Sequence, residues 1–251
     1  MHSLDIFSIP WILASCVVLV AAFVRGVSGF GLALILAPIL LLLMDSKSTV
    51  VVNLLLAIVS NLIVLPFNFR HLYLKGILPM VIFAVPGIAL GAWIITIIQP
   101  STLKIVIGAV TVISAIPLAM GISKDFRKEK LACGFSGFLG GVLGASTSLG
   151  GPPVVLFMHN QNWRKETIHS SLAAYFTFHG FCTVGALVIA GIVEVSTLVT
   201  AGSLIPALLI GTVAGIVAFR RLSQRLFRII TLVIIICAGI LGILSGTGIL
   251  S

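Results

Sequence analysis

Charge is what this sequence has least of. Charged residues make up 8% of the 251 positions, against roughly 25% in a soluble domain. That is too little to clothe a water-facing surface. Negative charge is scarcer still, with 6 Asp/Glu against 15 Lys/Arg. The six are Asp5, Asp45, Asp125, Glu129, Glu166 and Glu194, and all fall in or beside expected loops. No carboxylate sits in the middle of an apolar run, where carboxylate-driven cation pumping would need one. The four cysteines, Cys16, Cys133, Cys182 and Cys237, form no CxxC pair, which argues against a disulfide framework or a zinc site. There is no H-E-x-x-H, Walker A or dinucleotide fingerprint, so no cofactor, metal site or ATP-driven step is expected. The net charge of +9 comes without basic patches interleaved with aromatics, so nucleic acid is not an expected partner. The start, Met1-His2-Ser3-Leu4-Asp5, lacks the basic region of a signal peptide and is expected to be retained.

What remains is apolar: 59% of residues are hydrophobic, and lipid is the expected solvent for most of the outer surface. Unbroken runs long enough to cross a bilayer cover 49–67, 76–98, 103–120, 167–190, 196–219 and 227–244. Two further stretches, 7–44 and 131–159, are interrupted by small residues. The first break reads Arg25-Gly26-Val27-Ser28-Gly29-Phe30-Gly31 and leads to Pro38. The second runs from Gly140-Gly141-Val142-Leu143-Gly144-Ala145-Ser146-Thr147-Ser148 to Leu149-Gly150-Gly151-Pro152-Pro153. Gly26-x-x-Gly29 with Pro38 aligns with Gly141-x-x-Gly144 with Pro153. Pro86 and Gly91 then fall opposite Pro206 and Gly211. This order predicts two repeats, residues 1–123 and 124–251.

Loop charge sets the expected orientation. Loops 68–75 and 121–130 hold Arg70, Lys75, Lys124, Arg127, Lys128 and Lys130, while those on the opposite side hold Lys47 and Lys104. Loops 159–166 and 220–228 hold Arg164, Lys165, Arg220, Arg221, Arg225 and Arg228. These four loops are expected in the cytoplasm, with both termini on the other side. The halves are then inverted. Residues 131–159, cytoplasmic at both ends, are too few for two crossings, which need about 40 residues. A re-entrant pair of short helices is expected there, and two spans or a re-entrant pair at the first break. The fold class is thus all-α: a polytopic bundle of eight to ten membrane segments in two inverted repeats.

A backbone break at membrane depth leaves N–H groups that lipid cannot satisfy. They are tolerated where they line a cavity, and the helix that follows points its positive end there. With hydroxyl donors and no carboxylate nearby, the pair of breaks predicts a site for a small anion. The expected contacts are Ser28, Gly29, Gly31, Ser146, Thr147, Ser148, Gly150 and Gly151, with Asn53, Asn61, His169 and His179 behind them. His179 is the candidate for a coupling proton. Arg25 adjoins the first break, either to hold an anion or to snorkel to the interface. Close helix packing is the plainer use of the same small residues. Two rival functions share the pattern. An anion channel would use the breaks as a filter. A rhomboid-like intramembrane serine protease would use Ser28 in Gly26-Val27-Ser28-Gly29, although the second break has Leu143 where that serine would be.

The two breaks, the two halves and the chain length resemble the TauE/SafE sulfite exporter family over essentially the whole sequence. The resemblance implies a bacterial inner-membrane permease, not an enzyme. Its substrates would be small anions such as sulfite, sulfonates or related carboxylates. Neither the substrate, the direction nor the oligomeric state is legible.

Overall fold

The computed structural model describes residues 8–120, 129–161, 163–218, 236–237, 239–244 and 246–247. Among these there is no β-strand. The order is α1 (Ile9–Ser28), α2 (Leu32–Leu40), α3 (Ser46–Asn68), a 3-10 turn (Phe69–His71), α4 (Leu74–Ile97), α5 (Pro100–Met120), α6 (Glu129–Thr147), α7 (Gly151–His159), α8 (Lys165–Ile189) and α9 (Val195–Ala218). Among the described residues five helices are long and apolar enough to cross a membrane, within α1, α3, α4, α8 and α9, with shorter apolar stretches at Pro100–Ser114 and Leu131–Thr147. The expected span 227–244 and loop 220–228, the loop core 121–128 and the residues before Ser8 lie wholly or mostly outside the described residues.

Local chemistry sets the helix ends. The Ser8 hydroxyl accepts from the Trp11 amide at 3.3 Å and a proline occupies the first turn, which starts α1. Asp45 does the same for α3, its Oδ1 accepting from Lys47 N at 3.1 Å and Ser48 N at 2.9 Å. Gly29, at φ 80°, closes α1 in the left-handed conformation with its N–H on the Arg25 carbonyl.

Apolar residues face both ways. α4 buries Ile77, Met80, Ala84, Ile88 and Ile95, and exposes Leu78, Ile82, Phe83, Trp93 and Ile97. An exposed face this apolar suits lipid. The buried faces rely on close backbone approach. A Cβ at Gly87 or Gly91 of α4 would strike the carbonyls of Phe138 and Val142 on α6. One at Gly211 or Gly215 of α9 would strike those of Leu19 and Phe23 on α1. Residue numbers rise together across both contacts, so each pair runs parallel. α8 lies antiparallel to α3: Tyr73, beyond the end of α3, bonds Ser171 near the start of α8, and Gly180 meets Ile58 at mid-length.

The packing has two-fold character. α1 packs mainly on α9, and α6 mainly on α4; α3 packs on α9 as α8 does on α4. Exchanging α1–α4 for α6–α9 reproduces these contacts. The break helices therefore lie against the opposite half.

Both breaks are a long helix followed by a nine-residue one. The expected pair of short helices at the second break is instead a 19-residue α6 with a short α7. The helix ends also fix which residues correspond. α1 stops at Ser28 and α6 at Thr147, and Gly29 and Ser148 follow with positive φ. The glycine-pair alignment is thus displaced by one helical turn. Pro153 opens α7, whereas Pro38 lies near the end of α2.

Candidate functional site

The tips of both breaks end inside the bundle against α3. Asn53 Nδ2 donates to Ser148 Oγ at 2.9 Å, about 10 Å along α3 from its start. Arg25, in the last turn of α1, donates from Nε to Ser60 Oγ at 3.0 Å and from its terminal nitrogen to Asn61 Oδ1. Ser60 lies about 20 Å along the same helix. Each tip thus stops well short of the far end of α3, as a re-entrant hairpin should.

A cavity lies between the tips. Its polar pole is formed by Arg25, Asn61, Ser148 and His179; its apolar wall includes Phe30, Leu54, Ala57, Leu149 and Phe176. The starts of α2 (Gly31, Leu32, Ala33) and α7 (Gly150, Gly151, Pro152) line the same cavity, and neither has a side-chain cap. Two positive helix ends therefore meet there, with backbone N–H groups at the start of α2 and at Gly151 of α7 unclaimed by any side-chain cap; Pro152 and Pro153 carry no N–H.

Arg25 carries the electrostatics. It is 4% exposed, so it does not snorkel to the interface. Its hydrogen-bond partners, Ser60 and Asn61, are neutral. Among the described residues the ion pair present is Arg164 with Glu166, on the surface. A buried guanidinium facing a cavity without a carboxylate leaves a charge that an anion satisfies. One further nitrogen at the cavity, Asn61 Nδ2, has no hydrogen-bond partner among the described residues, and the His179 ring lies against the backbone of Gly140 and Gly141.

The two halves furnish this pole unequally. By the helix-end correspondence, Gly144 stands where Arg25 does, and His179 stands where Ser60 does. A Cβ on Gly144 would collide with the His179 ring. One half therefore places a long side chain on the break helix and a small one on its neighbour, and the other half does the reverse. Both long side chains reach the same cavity.

The sequence-expected residues divide into three groups. Gly31, Asn61, Ser148, Gly150, Gly151 and His179 line the cavity. Asn53 stands behind it through Ser148, and Gly29 supports the ring of His169, which packs over it. Ser146 and Thr147 donate to carbonyls of their own helix, Val142 at 2.7 Å and Leu143 at 2.6 Å. Ser28 ends α1. Arg25 was legible only as one of two alternatives, and Ser60 only as one position within the apolar run 49–67. A cation inside an apolar run was the available signal.

Ser148 is the one non-glycine at positive φ (62°) among the described residues, a conformation that costs about 1 kcal/mol or more. Its hydroxyl accepts from Asn53 and donates to the Thr147 carbonyl. Ser148→Gly should keep the fold, because the backbone relaxes. Ser148→Val should lose it or lose transport, because a β-branched residue resists this φ. Thermal stability in detergent, measured beside flux, checks both.

No curated protein and no solved structure matches the sequence. A family model does: the one described as Sulfite exporter TauE/SafE matches residues 14–241. The match takes in both breaks, the helices from residue 14 of α1 to the end of α9, and the cavity between the breaks. The chain belongs to the TauE/SafE sulfite exporter family.

Proposed function

We propose that this membrane protein is a secondary transporter of one small anion, sulfite or an organosulfonate, bound between the two breaks. The observation that carries the reading is Arg25: a buried guanidinium with neutral partners, at a cavity where two uncapped helix starts converge. Donors of this kind match the oxygens of a sulfite or sulfonate group. The family supports a transport protein rather than an enzyme.

The exchange symmetry of the packing supports inverted repeats over 1–123 and 124–251, and with them alternating access. The cross-half pairs α1–α9 and α4–α6 are the natural rigid bodies, moving relative to each other about α3 and α8. Placement in a cytoplasmic membrane, with loops 68–75, 121–130, 159–166 and 220–228 inside, rests on the basic residues of those loops.

Ligand-induced thermal shifts of the purified protein test the site. Sulfite or a sulfonate should raise the melting temperature, and sulfate, thiosulfate and small carboxylates serve as comparators. Flux into proteoliposomes should saturate with the stabilising ligand. No shift with any of these anions would count against an anion site, and flux that never saturates would indicate a channel.

A further inference from the structure

Among the described residues the unpartnered buried polar atom at the cavity is a nitrogen, Asn61 Nδ2. A different set at the head of α3 is all oxygen: Asp45 Oδ2, Thr49 Oγ1 and Asn53 Oδ1. Thr49 and Asn53, four apart, share one stripe of the helix, and Asp45, which caps its first turn, precedes Thr49 by the same spacing. Thr49 and Asn53 are 0% exposed. The same stripe continues through Ala57 to Asn61, both of which line the cavity. It runs from the head of α3 to the anion site. The corresponding stripe of α8 is apolar where α3 has Thr49 and Asn53, with Ile168 and Leu172 buried in the core. The second half has no counterpart.

Oxygens without donors do not attract an anion; they call for water or a cation. Neighbours four apart on a helix lie about 5–6 Å from each other. One water making two hydrogen bonds of about 2.8 Å spans that gap. A metal ion would need its ligands gathered within about 2.6 Å, which three residues over two turns cannot supply, and no His/Cys/Asp/Glu cluster for a metal occurs among the described residues.

We propose that Asp45, Thr49 and Asn53 line a water-filled seam that conducts the coupling proton between the head of α3 and the anion cavity. The Asp45 carboxylate takes the proton at the mouth. Waters held by Thr49 and Asn53 relay it, and the imidazole of His179, at the same polar pole of the cavity as Ser148, receives it as Asp45 is deprotonated. The charged groups on the surrounding elements are Lys47 on α3, Lys104 on α5, which packs against α2 and α3, and Glu194, whose carbonyl caps Thr197 where Thr197 bonds Ser48. α2 carries no ionisable side chain. α8, antiparallel, brings His169 toward the other end of α3, and the ionisable groups of α6 and the 3-10 turn lie about a helix length away. The proton role rests on the transporter reading above; the hydrated seam does not.

Two measurements decide it. In a chain with its native cysteines replaced, Thr49→Cys should react with a membrane-impermeant cationic thiosulfonate from one side only. The rate should exceed that of an anionic thiosulfonate of similar size about tenfold, and Asp45→Asn should erase the difference. Leu56→Cys, on a fully buried apolar position, should stay unmodified. An inert Thr49→Cys, or an equal rate with the anionic reagent, overturns the seam. In proteoliposomes, Asp45→Asn should lose accumulation of radiolabelled sulfite driven by a pH gradient, at least fivefold, while keeping sulfite counterflow; asparagine caps a helix as well as aspartate does. Gradient-driven accumulation at the wild-type level overturns the proton role. A wild-type protein that neither binds nor exchanges sulfite or a sulfonate speaks against the transporter reading, and the labelling rates still decide the seam.

Discussion

Arg25→Gln is expected to abolish transport while leaving the protein at least as stable as before. The guanidinium is buried, its partners are neutral, and it faces a cavity. Holding such a charge out of water costs several kcal/mol before any ligand arrives. Glutamine removes the charge and keeps a donor for Ser60 or Asn61. The unliganded protein should therefore melt at the same temperature or a few degrees higher. Binding is a different matter. Removing the charged partner of a desolvated anion costs about 2–5 kcal/mol, on the order of thirtyfold to several thousandfold in affinity. The ligand-induced thermal shift should vanish and flux should fall to that of empty vesicles. Arg25→Lys should recover part of the binding, since the charge remains but the two-armed geometry does not. If Arg25→Gln kept a wild-type thermal shift, the anion site would have to be placed elsewhere.

The second large effect concerns assembly. Gly137→Val should prevent the protein from folding. A Cβ at Gly137 would lie within 3 Å of the Met80 Cα and overlap its carbonyl. The obstacle is backbone, so no rotamer change relieves it, and α4 must move away from α6 along its length. That should exceed the usual 1–3 kcal/mol of an overpacked core, because the carbonyls of neighbouring turns are held to the same spacing. Gly185→Val is the control, since nothing lies within 4 Å of a Cβ there. Size-exclusion profiles in mild detergent should show a single peak for Gly185→Val and aggregate or no recovery for Gly137→Val. Equal recovery would mean that the two helices tolerate separation.

Much of the architecture was legible because lipid leaves few choices. Runs such as 49–67 and 76–98 had to be helices, and α3 and α4 fall there. The breaks were legible because glycine and proline interrupt apolar sequence where little else would. The register between the halves was not. Gly26 and Gly141 looked like equivalent parts of a tip. In the structure Gly26 meets Thr212 and Gly215 of α9, while Gly141 meets Ala84 and Ile88 of α4. These glycines serve helix contacts, a demand that any pair of close helices makes and that carries no positional signature. Hydroxyls posed the same difficulty. Ser146 and Ser148 are two residues apart, yet one returns to its own helix and the other meets Asn53. The difference is set by where the helix stops. Arg25 was visible as a charge, but its hold on Ser60 and Asn61 depends on how α1 meets α3.

The crossed pairing of helices has a consequence for biogenesis. α1 is made well before α9, and its small-residue face is shaped to receive the backbone of that later helix. During synthesis α1 must wait in lipid with that face open, while Arg25 waits for Ser60 and Asn61. α4, by contrast, meets its partner α6 after only one intervening helix. A chain truncated after the first half would offer two unmatched surfaces, one on α1 and one on α4, and each fits the other half. Two such halves, supplied as separate polypeptides, would have to entwine to satisfy both. The arrangement is that of an exchanged dimer whose subunits have been joined into one chain, and α1 finds its partner only once α9 has been made.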